Sequence, residues 1–198
     1  MTHKDNDLTL RFRHGDPAAM REVVDLYEGS LYNFGLRICG HKQDAEDILQ
    51  DTFLNAFRNP QSFRGESGLK TWLFRIAANA CFKKRRRKKG QPEFELSLEE
   101  LLPSGEAEAR FQIPDPGGDP SRRMLDSELR RILAEGMQSL PPIYRMVFDL
   151  RDMEGFSTEE TAHIMGISPQ AVKSRLHRAR LYLRKTISQR YQGEGWHE

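Results

Sequence analysis

From Leu8 to Arg87, and again from Met124 to Arg190, apolar residues recur at steps of three and four. They nowhere alternate with period two for long. That spacing gathers them on one face of a helix and leaves little from which to build a sheet, so an all-α chain is expected. Residues 91–123 lack any sustained period; they contain Pro92, Pro103, Pro114, Pro116, Pro120 and the Gly117-Gly118 pair. This is the composition of a linker. The expected architecture is two small helical domains, 8–90 and 124–190, joined by a flexible linker at 91–123. Within the linker, Leu96, Leu98, Leu101 and Leu102 could dock as a short amphipathic piece.

Local signals place the helices. Asp16-Pro17 reads as an N-cap followed by proline in the first turn. Met20, Val23, Val24, Tyr27, Leu31 and Phe34 then share a stripe that Gly40 ends. Asp44 restarts helix, with Ala45, Ile48, Leu49, Phe53, Ala56 and Phe57 apolar until Asn59-Pro60. After a loop at residues 61–68, Leu69, Trp72, Leu73, Ile76, Ala77 and Ala80 share a face, and the helix runs into the basic stretch Lys83–Lys89. The tail from Gln192 has no periodic partner and is expected to fray.

Of the 198 residues, 31 are Lys or Arg and 29 Asp or Glu, a net charge of +2 that conceals an uneven distribution. Residues 1–90 carry +6, residues 91–128 carry −7, and residues 129–198 carry +3. Two basic bodies flanking an acidic stretch suggest a polyanionic partner. No apolar run is long enough to cross a membrane, and the first residues lack the apolar core of a secretory signal. Cys39 and Cys81 sit in no CxxC or Cys/His cluster, so two buried, reduced thiols in a cytoplasmic protein are expected.

Residues 157–172 read as helix, tight turn, helix. Ser157 or Thr158 caps the first, Gly166 supplies the left-handed turn, and Ser168 caps the second with Pro169 at its first position. Val172, Leu176, Ala179 and Leu183 form the buried stripe of the second helix. A rotation of about 100° per residue puts Gln170, Lys173, Ser174 and His177 opposite, with Arg178 and Arg180 flanking and Arg175 nearer the core. From Pro169 to Arg190 there are seven Lys or Arg and no acid. A major-groove reader needs such a helix: short polar side chains reach base edges and cations neutralise phosphate. A solvated basic helix in a generic bundle is the plainer reading.

In the first half, Phe63, Arg64, Glu66 and Ser67 lie on a glycine-bracketed loop, followed by Trp72, Phe74, Arg75, Asn79 and Lys83. Aromatic rings interleaved with cations can stack unpaired bases and track a backbone, although Phe63 and Trp72 could equally be core residues. Asp44, Asp47, Gln50, Asp51 and Asn55 form a polar stripe that suits a basic protein partner or plain solvent. Casting Asp44, Asp47 and Asp51 as metal ligands of a nucleic-acid enzyme fails for want of a His partner or phosphate cradle. The other alternative is a conventional helix-turn-helix regulator with an N-terminal sensing or dimerisation domain. It leaves the acidic stripe, the loop and the basic helix end without a use.

Asp44-Ala45-Glu46-Asp47-Ile48-Leu49-Gln50-Asp51-Thr52-Phe53, Ser62-Phe63-Arg64-Gly65-Glu66-Ser67 and Lys70-Thr71-Trp72-Leu73-Phe74-Arg75-Ile76-Ala77 resemble region 2 of bacterial sigma factors of the extracytoplasmic-function (ECF) group, in the sigma-70 family. Ser139-Leu140-Pro141, Gly155-Phe156-Ser157-Thr158-Glu159-Glu160 and residues 171–180 resemble region 4 of the same group. The resemblance covers about three quarters of the chain, in the family's order.

It implies a promoter-specificity subunit of RNA polymerase, with no catalytic residues, cofactor or metal. Asp47, Gln50 and Asp51 would meet the β′ clamp helices of the core enzyme, and the second domain its β flap. Phe63, Arg64, Glu66, Ser67, Trp72, Arg75, Asn79 and Lys83 would capture and hold the minus-ten strand. Ser168, Gln170, Lys173, Ser174, Arg175, His177 and Arg178 would read the minus-thirty-five duplex, with His177 standing where an aromatic or aliphatic residue is usual. An anti-sigma factor is the further partner the family implies.

Overall fold

The structure, a computed structural model, describes residues 3–88 and 131–193. The first domain comprises α1 (His3–Arg13), α2 (Pro17–Cys39), α3 (Lys42–Arg58), a 3-10 turn (Pro60–Ser62) and α4 (Leu69–Lys88). The second comprises α5 (residues 131–139), α6 (Pro142–Phe148) running on into a π-helical turn (Asp149–Met153), α7 (Thr158–Met165) and α8 (Pro169–Gly193). Every regular element among the described residues is helical. The linker with its four leucines, residues 124–130 and the last five residues lie outside the described part.

Helix ends follow the local chemistry. Asp16 accepts the Ala18 N–H at 2.9 Å, and Gly40 closes α2 at φ 76° with its N–H on Leu36 O. A side chain at Gly40 would also collide, since a Cβ there would stand 2.8 Å from Gln138 Oε1 of the second domain. α3 starts two residues before the expected Asp44, with the extended His41 at the N-cap position making no side-chain cap bond. Asp44 itself is buried, against the expectation of an exposed polar stripe, because α4 brings Lys84 Nζ to 2.9 Å from its carboxylate.

The sequence reading missed α1 as a separate helix. It delivers Leu8 and Phe12 to the core, where the fully buried Phe12 ring meets Phe57 and Trp72 at 6.1 and 6.0 Å. The second correction concerns Phe74, expected on an outer, base-stacking face. It is fully buried, 5.3 Å from Phe34 and 5.0 Å from Phe156 between ring centroids. α4 is covered twice, by α2 and α3 on one side and by α7 of the second domain on another. Of the two thiols, Cys81 is buried and Cys39 only half-buried; neither is in a disulfide.

One hydrophobic core therefore runs through both domains, from Leu8 and Phe34 to Met146, Leu150, Phe156 and Ile164. Within the second domain, Leu140, Tyr144, Ala179 and Leu183 form one further cluster, and Val147, Ala162, Val172 and Leu176 another. All four residues of the expected recognition-helix stripe are buried.

Candidate nucleic-acid and polymerase interfaces

α3 and α4 pack side by side and leave an open groove between their exposed faces. Asp47, Gln50, Asp51 and Asn55 of α3 line one stretch with Ile76, Asn79, Lys83 and Lys84 of α4. The groove continues past Asn55 and Ile76 to Trp72, Arg58, Asn59, Gln61 and Ser62. On α4, Trp72, Ile76, Asn79 and Lys83 follow one another at helical spacing, so one face presents an indole edge, an amide and an ammonium in a row.

The structure thus brings Trp72, Asn79 and Lys83, expected to hold DNA, onto the same groove as Asp47, Gln50 and Asp51, expected to face a protein. The acidic stripe is partly neutralised within the domain. Lys84 Nζ stands 2.6 Å from Asp47 and 2.9 Å from Asp44, where a metal ion would otherwise have to sit. The Lys84 hydrogen bond, helped by one from Gln43 at 3.3 Å, holds the Asp47 carboxyl below the usual carboxylate range. Gln50 and Asp51 remain exposed at the rim.

Around the loop, Phe63 is buried, its ring 5.3 Å from Trp72, so it anchors the loop from beneath instead of presenting a stacking face. Arg64 and Glu66 are exposed on either side of Gly65, whose φ of 77° turns the chain; Ser67 is half-buried. These three are absent from the groove lining, and Arg75 points away from it, its Nη1 3.3 Å from His163 Nε2 of α7. The sequence reading missed Arg58, Asn59 and Gln61 as groove residues. Their signal was the polar residues on either side of Pro60, but only the 3-10 turn brings them to the groove that Trp72 lines.

In the second domain Ser157 and Glu160 form a reciprocal capping box: the Glu160 N–H donates to Ser157 Oγ at 3.1 Å and the Ser157 N–H to Glu160 at 2.8 Å. The backbone bond from Ser157 is the main reason the Glu160 carboxyl titrates low. Gly166 turns the chain at φ 66°, and Ser168 Oγ accepts the Ala171 N–H at 3.1 Å to start α8. Gln170, Lys173, Ser174 and His177 are exposed as expected; Arg175 and Arg178 are half-buried at the edges of that face. Arg178 reaches Tyr144 Oη at 3.5 Å, whereas Arg180 is tied to Asp152 through two hydrogen bonds of 2.9 and 2.6 Å. The exposed strip therefore keeps amide, hydroxyl, imidazole and ammonium groups free of acidic neighbours on α8.

Residues 23–91 match the family described as Sigma-70 region 2, and residues 130–183 match Sigma-70, region 4. The ECF RNA polymerase sigma factor SigW of Bacillus subtilis is 33% identical over 175 residues, covering 88% of this chain and 92% of SigW. The chain belongs to the ECF sigma factors. A second relative of this sigma factor, the ECF RNA polymerase sigma-E factor of Haemophilus influenzae, is 32% identical over 92% of this chain and 95% of its own. Among solved structures, RpoE of Bartonella quintana, in complex with the anti-sigma factor NepR, shares 27% identity with a TM-score of 0.60, covering 85% of this chain and 96% of that one. CnrH, in complex with the cytosolic domain of CnrY, shares the fold: TM-score 0.65 and 23% identity over 93% of this chain and 97% of CnrH.

Proposed function

We propose that this sigma factor binds core RNA polymerase, gives it promoter specificity and assists strand opening, without a catalytic centre of its own. The observation that carries the reading is the pairing, in one chain and in the family's order, of an α3/α4 groove with a capped, acid-free recognition helix. Gln50, Asp51 and the outer side of Asp47 are the candidate contacts to the β′ clamp helices, and the second domain docks on the β flap.

Along α4, Trp72, Asn79 and Lys83 track the minus-ten strand, joined by Arg64, Glu66 and Ser67 from the loop that Phe63 anchors and by Arg75 once it is released from His163. Exchange of a base's stack in the duplex for contacts in the groove would drive melting by binding energy alone. Gln170, Lys173, Ser174 and His177 read the minus-thirty-five duplex, with Arg175 and Arg178 at its phosphates and Ser168 holding the helix start. The working compartment is the cytoplasm, where polymerase and promoter are. An anti-sigma factor, as in the complex of the Bartonella relative, is the expected antagonist.

The test is transcription by purified core polymerase, with and without the chain, on a library of promoter fragments. New start sites that depend on the added protein support the reading; unchanged start sites overturn it.

A further inference from the structure

The last turn of α1 carries two arginines in opposite situations. Arg11 is committed within the domain: its guanidinium lies 3.0 Å from Asp7, 3.6 Å from Asp16 and 2.7 Å from Glu22. The Arg13 side chain has neither a hydrogen bond nor an ion pair among the described residues. Nor does its own helix need it as a cap. The carbonyls of Leu10, Arg11 and Phe12 already accept the backbone N–H groups of His14, Asp16 and Gly15.

Packing fixes where that cation stands. Phe12, its neighbour in sequence, is fully buried and meets Trp72 at 6.0 Å between ring centroids. Trp72 in turn meets Phe63, the anchor of the loop, at 5.3 Å. Three rings thus tie the end of α1 to the loop that carries Arg64, Glu66 and Ser67. In that loop Gly65 turns at φ 77°, and a Cβ there would stand 4.0 Å from Arg13 Nη1. Glu66 of the same loop is exposed and does not pair with Arg13.

A guanidinium is always charged, and its planar fork matches two oxygens of a phosphate. Arg13 is half-buried, so part of its hydration is already gone, and no carboxylate replaces it. A base captured at this loop brings its own flanking phosphates to the loop's edge. Arg13 lies outside the lining of the α3/α4 groove, which places it at the strand's backbone and not at its base edges. Resting on the function proposed above, we propose that Arg13 is a further minus-ten contact, gripping a phosphate beside the captured base. α1 then belongs to the DNA-binding surface as well as to the core.

The test is binding of single-stranded minus-ten oligonucleotides by holoenzyme assembled from core polymerase and the full chain. Arg13→Gln removes the charge and keeps most of the stem. It should weaken binding about tenfold at low salt, equally for matched and mismatched sequences. The log–log salt slope should fall by about 0.7, the share of one phosphate on a single strand. Arg13→Lys should keep the slope and recover part of the affinity. Helical circular dichroism and the thermal midpoint, which a packing defect would move, should stay at wild-type values.

Oligonucleotides with one phosphate replaced by an uncharged methylphosphonate locate the contact. At one position that replacement should cost the wild type about tenfold and cost Arg13→Gln almost nothing further. A full salt slope in Arg13→Gln, or losses that simply add at every position, would overturn the proposal. Failure of the sigma reading looks different. Holoenzyme would then bind these strands no better than core polymerase alone, whichever residue stands at position 13, and the Arg13 contact would fall with it.

Discussion

Arg145, on the second domain's α6, closes the C-terminus of α2 in the first, its guanidinium 3.0 Å from the carbonyl of Ile38. The same side chain donates to the Gln138 carbonyl, to Gln138 Oε1 at 2.6 Å and to Leu140 O at 3.0 Å, while being only 6% exposed. It satisfies one of the last carbonyls of a helix 107 residues away in sequence, and Gln138 Nε2 adds a bond of 2.9 Å to the neighbouring Arg37 O.

Replacing Arg145 by Ala leaves the carbonyls of Ile38, Gln138 and Leu140 without that donor. Hydrogen bonds to a charged group contribute about 1.5–3 kcal/mol each, so Arg145→Ala should cost about 3 kcal/mol or more. Urea unfolding read by circular dichroism measures the loss. A cost below about 1 kcal/mol would show that the side chain is dispensable to the fold.

Asp149 supplies a pH dependence. Burial pushes its carboxyl up to about 6, from an ordinary 3.8, despite the opposing pull of Arg37. At the guanidinium the balance is reversed: burial works against the charge, but Asp149 and Glu154 outweigh it and raise the Arg37 pKa. A carboxyl raised on folding favours the folded state fully below the unfolded value, and that contribution is lost as pH rises through the folded one. The term is worth at most ~3 kcal/mol. Wild-type stability should therefore fall between pH 4.5 and 7 by more than that of Asp149→Asn, in thermal unfolding across that range. Parallel pH profiles for the two proteins would refute the assignment.

Asp51 stands exposed at the rim of the α3/α4 groove, one turn beyond the Asp47 that Lys84 already occupies. Asp51→Arg should weaken binding to core polymerase at least tenfold by placing like charges opposite each other. The mutant's affinity for minus-thirty-five duplex should be unchanged, as read by fluorescence anisotropy. Equal loss of both activities would refute the division of labour between the domains.

On the recognition helix, Arg178 and Gln170 should separate affinity from specificity. Arg178→Ala should weaken duplex binding about equally for all sequences and reduce the log–log salt slope by about 1. Gln170→Ala should instead relax the preference at one base pair by about 1–3 kcal/mol. Titrations on matched and mismatched duplexes at several salt concentrations distinguish the two; identical behaviour would overturn the assigned roles.

The turn into that helix carries its own strain test. Gly166 holds φ at 66°, where an added Cβ meets nothing within 4 Å, so only backbone preference opposes a side chain there. Gly166→Ala should cost about 1–2 kcal/mol, and Ser157→Ala, which breaks the capping box, about 1 kcal/mol. Both are read by thermal unfolding, and a neutral Gly166→Ala would refute the strain argument.

Caps and turns were legible because their causes are local. Asp16 with Pro17, Gly40, Gly166 and Ser168 with Pro169 each act within a few residues of themselves. The recognition-helix stripe was legible for a related reason: Val172, Leu176, Ala179 and Leu183 face one core, and a single covered face leaves a clean period. α4 was misread because it is covered on two faces. Periodicity marked Leu69, Leu73 and Ala77 as apolar, but nothing near Phe74 in sequence announces that Phe156 will cover it.

Local spacing and capping chemistry were enough to specify a helical fold in two parts, the caps at Asp16, Gly40, Gly166 and Ser168, and a C-terminal helix whose outward face carries no acid. These follow from backbone stereochemistry and from side-chain spacing along one strand of chain. Helix packing alone sets Lys84 between Asp44 and Asp47, puts Trp72, Asn79 and Lys83 on one groove with Asp51, and lets Arg37 and Arg145 bind each domain to the other. Those relationships join residues that are tens to more than a hundred positions apart. They depend on which faces meet when helices pack, and the composition of a single helix does not specify its neighbour.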